Sequence, residues 1–142
     1  MNFKDIEIDL NLQEEFTEIL PIIEKIIKDE RLNNANMTIF IPHEVSSIVP
    51  IGWEDGLLED LKNYLLDVVP SKKYKNHDEP NTPFRYNFDE HMRVKIAGTN
   101  SITFIIKDKS LYLGKYQNYY FYSPVYKNIP KQKMFIRIQL LD

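Results

Sequence analysis

At 142 residues the chain has room for one domain with a real apolar core, and a 43% hydrophobic, 13% aromatic composition sets it apart from disordered sequences. The net charge of −3 argues against a nucleic-acid partner, because the one basic run, Lys72, Lys73 and Lys75, meets Asp78 and Glu79 at once. There is no cysteine, which excludes disulfides, thiolate catalysis and cysteine zinc sites together. Four charged residues between Met1 and Asp9 are incompatible with a signal peptide, and no apolar run is long enough to span a bilayer. A cytoplasmic protein with no membrane partner is expected.

Phe3 to Leu10 alternates charge with bulk, the period of a strand with one wet face. A second extended piece is expected over Glu14 to Glu18. From Pro21 to Arg31 the spacing becomes helical, with Ile22, Ile23, Ile26 and Ile27 on one face and Pro21 suited to the first turn. Met37-Thr38-Ile39-Phe40-Ile41-Pro42-His43 is a short apolar run ended by a breaker, the pattern of a buried strand. Pro42 cannot donate to a ladder, so the strand leaves the sheet there and delivers His43 to its end.

Val45 to Ile51 is predicted as a return strand. An amphipathic helix is expected from Trp53 to Val69, with Leu57, Leu61, Tyr64, Leu65 and Val68 as its buried stripe and Pro70 as its stop. Ser71 to Tyr86, polar and holding two prolines, reads as a long irregular loop of the kind that is often functional. Asn87 is placed as the cap of a short helix over Phe88 to Ala97, with Gly98 as its stop. The remainder reads as strands at Ser101–Ile106, Leu111–Leu113, Tyr119–Val125 and Met134–Leu140, with a turn at Lys107–Ser110. Strands mixed with two or three helices, and close hairpins at the end, make a single α+β domain over residues 1–142 with mainly antiparallel sheet.

The three histidines, His43, His77 and His91, suffice for a metal site that keeps a fourth position open, although their spacings of 34 and 14 residues match no local metal signature. Asp78, Glu79, Asp89, Glu90 and Glu44 each stand within two residues of a histidine, as acceptors for ring N–H groups or as a general base. Arg85, Arg93 and Lys115 are candidate phosphate contacts, with Arg85 read as a plain surface cation. The run Tyr116 to Tyr122 alternates on two faces of a strand, reading as core or subunit interface before an aromatic pocket.

Taken in order, these pieces resemble the YjbQ-like family, also called secondary thiamine-phosphate synthases. Ile39 to Ser47 is similar to the family's apolar strand followed by His-Thr-Thr-Ala-Ser. Glu59-Asp60-Leu61 and Val69-Pro70 resemble its acidic helix and closing proline, and Tyr74-Lys75-Asn76-His77-Asp78 its Tyr-x-His segment with one extra residue. Glu90 to Gly98 is similar to Ala-His-Ile-Lys ending in Gly, and Leu111 to Gln117 to Leu-x-Leu-Gly-Thr-Trp-Gln.

The resemblance implies a sandwich or barrel-like α+β fold and a homotrimer with the site near a subunit interface. It places the metal ligands on His43, His77 and His91, with zinc the expected divalent ion. It further implies Glu44 or Asp89 as the acid–base group, Arg93 in place of the family's Lys as the phosphate contact, and Ser47 and Gln117 as further contacts to a small phosphorylated molecule. The implied reaction joins a pyrimidine diphosphate to a thiazole phosphate. Departures are plain: the family's Thr-Thr is Glu44-Val45 here, its Asp-Asp before the third histidine is missing, and its later Glu and Arg fall near Ser123 and Val125. A non-catalytic trimer that kept the fold, or a metal-dependent hydrolase of small molecules, are the alternative expectations.

Overall fold

The computed structural model describes residues 2–81 and 87–141. In chain order its elements are β1 (Phe3–Asn11), β2 (Phe16–Glu18), α1 (Leu20–Asp29), β3 (Ala35–Phe40), β4 (Ser47–Pro50), α2 (Leu57–Val68), α3 (Lys75–Asn81), α4 (Phe88–Ala97), β5 (Ser101–Lys107), β6 (Ser110–Leu111), β7 (Tyr119–Tyr122) and β8 (Lys131–Leu140). One sheet runs β1-β8-β3-β5-β6 and a second runs β2-β7-β4. Every pairing is antiparallel, and an isolated bridge between Ile48 and Thr99 joins β4 to the start of β5. The α+β, antiparallel reading holds.

Side-chain alternation along the strands builds two cores. Met37 and Ile39 of β3, Phe104 and Ile106 of β5, and Met134, Ile136 and Ile138 of β8 face α1 and one side of the smaller sheet. There they meet Ile23, Ile26 and Ile27, together with Ile48, Tyr119 and Phe121. The other side of the smaller sheet presents Val49, Tyr120 and Tyr122 to Phe16, to Leu65 of α2 and to Val94 of α4. All four residues of β7 are therefore buried, so the aromatic run is core on both faces from Tyr119 onward, while Tyr116 stays half-exposed. Each such side chain contributes about 1.5–3 kcal/mol by leaving water. Phe16 and Tyr122 stack at 4.3 Å between ring centres.

β3 is the central strand of the large sheet, paired with β5 on one edge and β8 on the other. Its β-branched and apolar residues suit a position covered by neighbours on both sides. α1 ends before it in a tight double turn, with Arg31 N–H donating to Lys28 O (3.2 Å) and Leu32 N–H to Ile27 O (3.0 Å). Arg31 takes the left-handed conformation (φ 52°) that this helix ending demands and that glycine normally fills. The β5–β6 hairpin turns on Asp108 (φ 51°) and Lys109 (φ 70°), again left-handed. A left-handed residue with a Cβ costs roughly 1–2 kcal/mol.

Three expectations are corrected. α2 starts at Leu57 and not at Trp53, because Gly56 at φ 80° breaks the approach. Trp53 is half-exposed, packs on Tyr116 at 5.2 Å and donates its indole N–H to Lys115 O. The helix also buries a rotated stripe: Leu58 and Leu61 are partly covered and Leu65 fully, whereas Leu57, Tyr64 and Val68 face outward. The predicted loop contains α3, so the described residues form four helices where two or three were expected. Residues 82–86, which include Arg85 and the predicted loop's end at Tyr86, lie outside the described residues.

Candidate metal centre

Beyond Pro42, where the chain has left the sheet, His43 lies against β8 and its Nε2 accepts the backbone N–H of Lys133 (2.9 Å). His77 arrives on α3, a helix with no apolar stripe and a proline at its sixth position. The buried carboxylate of Asp78 holds that helix. It accepts N–H bonds from Tyr74 (2.6 Å) and from Phe88 at the start of α4 (3.2 Å), and the His77 Nδ1–H (2.7 Å). One side chain thus fixes the start of α3, the docking of α4 and the tautomer of His77. Burial pushes the Asp78 carboxyl up, but these donors hold it below the usual carboxylate range.

His91 projects from α4, its ring 4.9 Å from that of His77 and steeply inclined to it at 65°. The three histidines line one cavity of about 450 Å³ with Glu44, Asn87 and Gln132 among the other walls. The Asn87 Oδ1, buried in that wall, has no hydrogen-bond partner among the described residues. Burial lowers the pKa of both His43 and His91. The Lys133 charge adds to it at His43, and the Lys95 charge adds to it at His91, partly offset by Glu44. Both are therefore neutral at pH 7, the form that ligates metals. Glu44 stands on the mouth, hydrogen-bonded by Lys95 and 3.8 Å from His91 Nδ1. The Lys95 bond holds its carboxyl below the usual range, so it is a base and not an acid at neutral pH.

The donor set fits a tetrahedral ion in part as it stands. His77 donates Nδ1–H to a carboxylate and keeps the Nε2 lone pair free, the arrangement of ligating histidines in general. Two imidazoles sharing an ion at about 2.0–2.1 Å are compatible with rings 4.9 Å apart. His43 is engaged by Lys133, and it would have to release that N–H to offer a lone pair. Among the described residues no three His, Asp or Glu groups are gathered closely enough to share an ion in this arrangement.

The other expected site residues divide by helix phase. His91 and Lys95, four apart, share the face of α4 that meets Glu44. Asp89 and Arg93, also four apart, share the opposite face and pair with each other at 3.4 Å. The Arg93 guanidinium donates to Val69 O (2.8 and 3.2 Å) and Ser71 Oγ (2.8 Å), tying α4 to the end of α2. Neither Asp89 nor Arg93 lines the histidine cavity. Ser47 lies in an adjoining cleft that shares His43 and Glu44, and its buried hydroxyl has no partner among the described residues. Gln117 is elsewhere, accepting Gly114 N–H (2.6 Å) and donating to the Tyr119 hydroxyl (3.2 Å). Two residues were missed as site groups, Asn87 and Lys95. The signal for Lys95 was its place four residues after His91.

The family model for UPF0047, YjbQ-like proteins matches residues 4–139. The chain belongs to the YjbQ-like family. A UPF0047 protein of Methanocaldococcus jannaschii is 27% identical over 116 residues, which cover 81% of this chain and 79% of that one. A UPF0047 protein of Archaeoglobus fulgidus is 27% identical over 104 residues, covering 73% and 79%. Among solved structures, a YjbQ-like protein of unknown function from Sulfolobus solfataricus superposes with a TM-score of 0.79 at 18% identity over 99% of each chain. A hypothetical protein from Aeropyrum pernix gives 0.75 at 14% identity over 99% of this chain and 100% of that one. These structural likenesses establish the YjbQ-like fold. No helix among the described residues is long and apolar enough to cross a membrane.

Proposed function

We propose that this YjbQ-like protein holds a divalent metal, zinc by the chemistry of an all-imidazole donor set, on His43, His77 and His91, and uses it on a small phosphorylated molecule. The observation that carries the reading is the meeting of the chain's only three histidines, from three separate segments, on the walls of one cavity. A bound ion would supply Lewis acidity toward a phosphoryl oxygen or a water.

The protein's own residues have definable tasks. Asp78 keeps the His77 proton on Nδ1, so the ring presents Nε2. Glu44, held ionised by Lys95, accepts a proton at the cavity mouth. Lys95, and not Arg93, is the cation available to a phosphate there, because it shares the His91 face and lines the adjoining cleft. The Asn87 Oδ1 offers an acceptor to a donor group of the ligand. The transfer implied by resemblance, a pyrimidine diphosphate joined to a thiazole phosphate with release of pyrophosphate, is the reaction to assay first. The outward Leu57, Tyr64 and Val68 of α2 support assembly into the homotrimer, to be read by mass photometry.

The engagement of His43 by Lys133 favours a second reading, a non-catalytic binding protein that kept the fold. Elemental analysis of protein purified without chelator separates the metal reading from its failure. The native chain should carry about one ion per protomer and His43→Ala essentially none; native protein free of metal, or full retention by the variant, ends it. Turnover of the phosphorylated precursors by metal-loaded protein decides between enzyme and binding protein.

A further inference from the structure

At the opposite end of β3 lies a second cavity, of about 660 Å³, which shares no residue with the histidine centre. The last turn of α1, the chain entering β3 and the β5–β6 hairpin border this open cleft. Ile27, Leu32 and Leu111 give it an apolar wall, while Lys28, Arg31 and Lys109 stand on its rim. Glu24 is the one acidic residue there, so the rim carries two net positive charges. None of the three cations has an ion pair or side-chain hydrogen bond among the described residues.

The backbone adds an independent observation. Arg31 occupies the residue after the helix cap, and Lys109 the second central position of a two-residue hairpin, and both are left-handed. Glycine fills such places by default because a Cβ is penalised there. Asp108, beside Lys109, is a residue type that tolerates this conformation and needs no special reason. Arginine and lysine are not such types. Two neighbouring turns therefore carry long cationic side chains against backbone preference, and both line the same cavity. Strain held at a cavity, with the charges left unpaired, is the pattern of a binding site.

We propose that this cavity binds a small amphiphilic anion, an oxyanion head on an apolar body. Arg31, Lys109 and Lys28 take the head, with the Arg31 fork suited to carboxylate or phosphate. Ile27, Leu32 and Leu111 cover the apolar part. The rim supplies the cations and leaves their partner to the ligand. This site is independent of the metal reading.

Calorimetric titration of the full chain with hexyl phosphate, hexanoate, inorganic phosphate and hexanol tests it. Saturable binding of hexyl phosphate or hexanoate is expected, at least about tenfold tighter than inorganic phosphate or hexanol; the stronger of the two identifies the head. Arg31→Gly and Lys109→Gly suit the left-handed backbone, so both should melt at or above the native temperature. Each should weaken binding by about tenfold. His43→Ala should bind as the native chain does. The proposal is overturned by absent binding, by glycine variants that bind normally or melt earlier, or by loss of binding in His43→Ala.

Discussion

The two ends of β3 are built on opposite terms. Where the strand runs out toward Pro42, the polar side chains are held by neighbours: His43 by Lys133, His77 by Asp78, Glu44 by Lys95. Where the strand begins, after Leu32, Lys28, Arg31 and Lys109 outnumber the one carboxylate of their cavity, Glu24, and form no ion pair among the described residues, two of them on left-handed backbone. Asp78 and Lys95 fix the orientation of His77 and Glu44 beforehand, as a centre of set geometry requires, whereas His43 must first give up Lys133. Unengaged groups over an apolar wall suit a ligand that brings the missing charge.

The largest effect should come from Gly98, which seats α4 and so His91. A Cβ there would fall 2.2 Å from Ile48 O, against backbone that also exchanges two hydrogen bonds with Thr99. Gly98→Ala should cost about 3 kcal/mol or more in denaturant titration and displace His91 from the cavity. Native stability in that variant would show that the α4–β4 contact does not position the histidine end. Next comes Asp78→Asn, which weakens the acceptor for His77 Nδ1–H. Metal affinity should fall about 10- to 100-fold, while hexyl phosphate binding at the far end stays unchanged. A parallel loss at both ends would erase the distinction between them.

The smallest effect is a control outside both ends. Burial pushes the Glu15 carboxyl up, against the pull of Lys62, Arg93 and Lys127. A carboxylate raised in the folded state binds protons more tightly there than in the unfolded chain. Its contribution is therefore fullest below the unfolded value and is lost as pH rises through the folded one. Glu15→Gln should raise stability by about half a kcal/mol at pH 7, screening included, and by nothing at pH 3. Equal gain at both pH values would trace the effect to packing instead of charge.

How much of this was legible varied with the physics involved. The β3 run was clear because an apolar stretch closed by a proline admits few readings, whereas the aromatics of β7 left core, subunit interface and pocket open, and only the packing on both faces decides for core. The meeting of the histidines was not in their spacing, which matches no local signature; it came from resemblance. α3 stayed hidden because its residues are polar and include Pro80. It exists through the tertiary bonds of Asp78, which local propensity does not encode. The phase of α2 was ambiguous for another reason: the Leu57-Leu58 and Leu65-Leu66 pairs support two stripes of the same period, and only contact with Phe16 and Tyr122 selects one. On α4 the period was sufficient. Asp89 and Arg93 lie two residues from His91, a separation that puts them on another face, whereas Lys95 keeps the phase.

β8, the last of the described strands, slots between β1 and β3, pairing Phe3 with Gln139 and Ala35 with Leu140. Until it docks, β1 has no neighbour in the large sheet and one edge of β3 lies open. Such late, sequence-distant pairing makes assembly slow. Lys133, which anchors His43, rides on that same strand. The imidazole end therefore reaches this arrangement only after β8 has been made and has closed the large sheet.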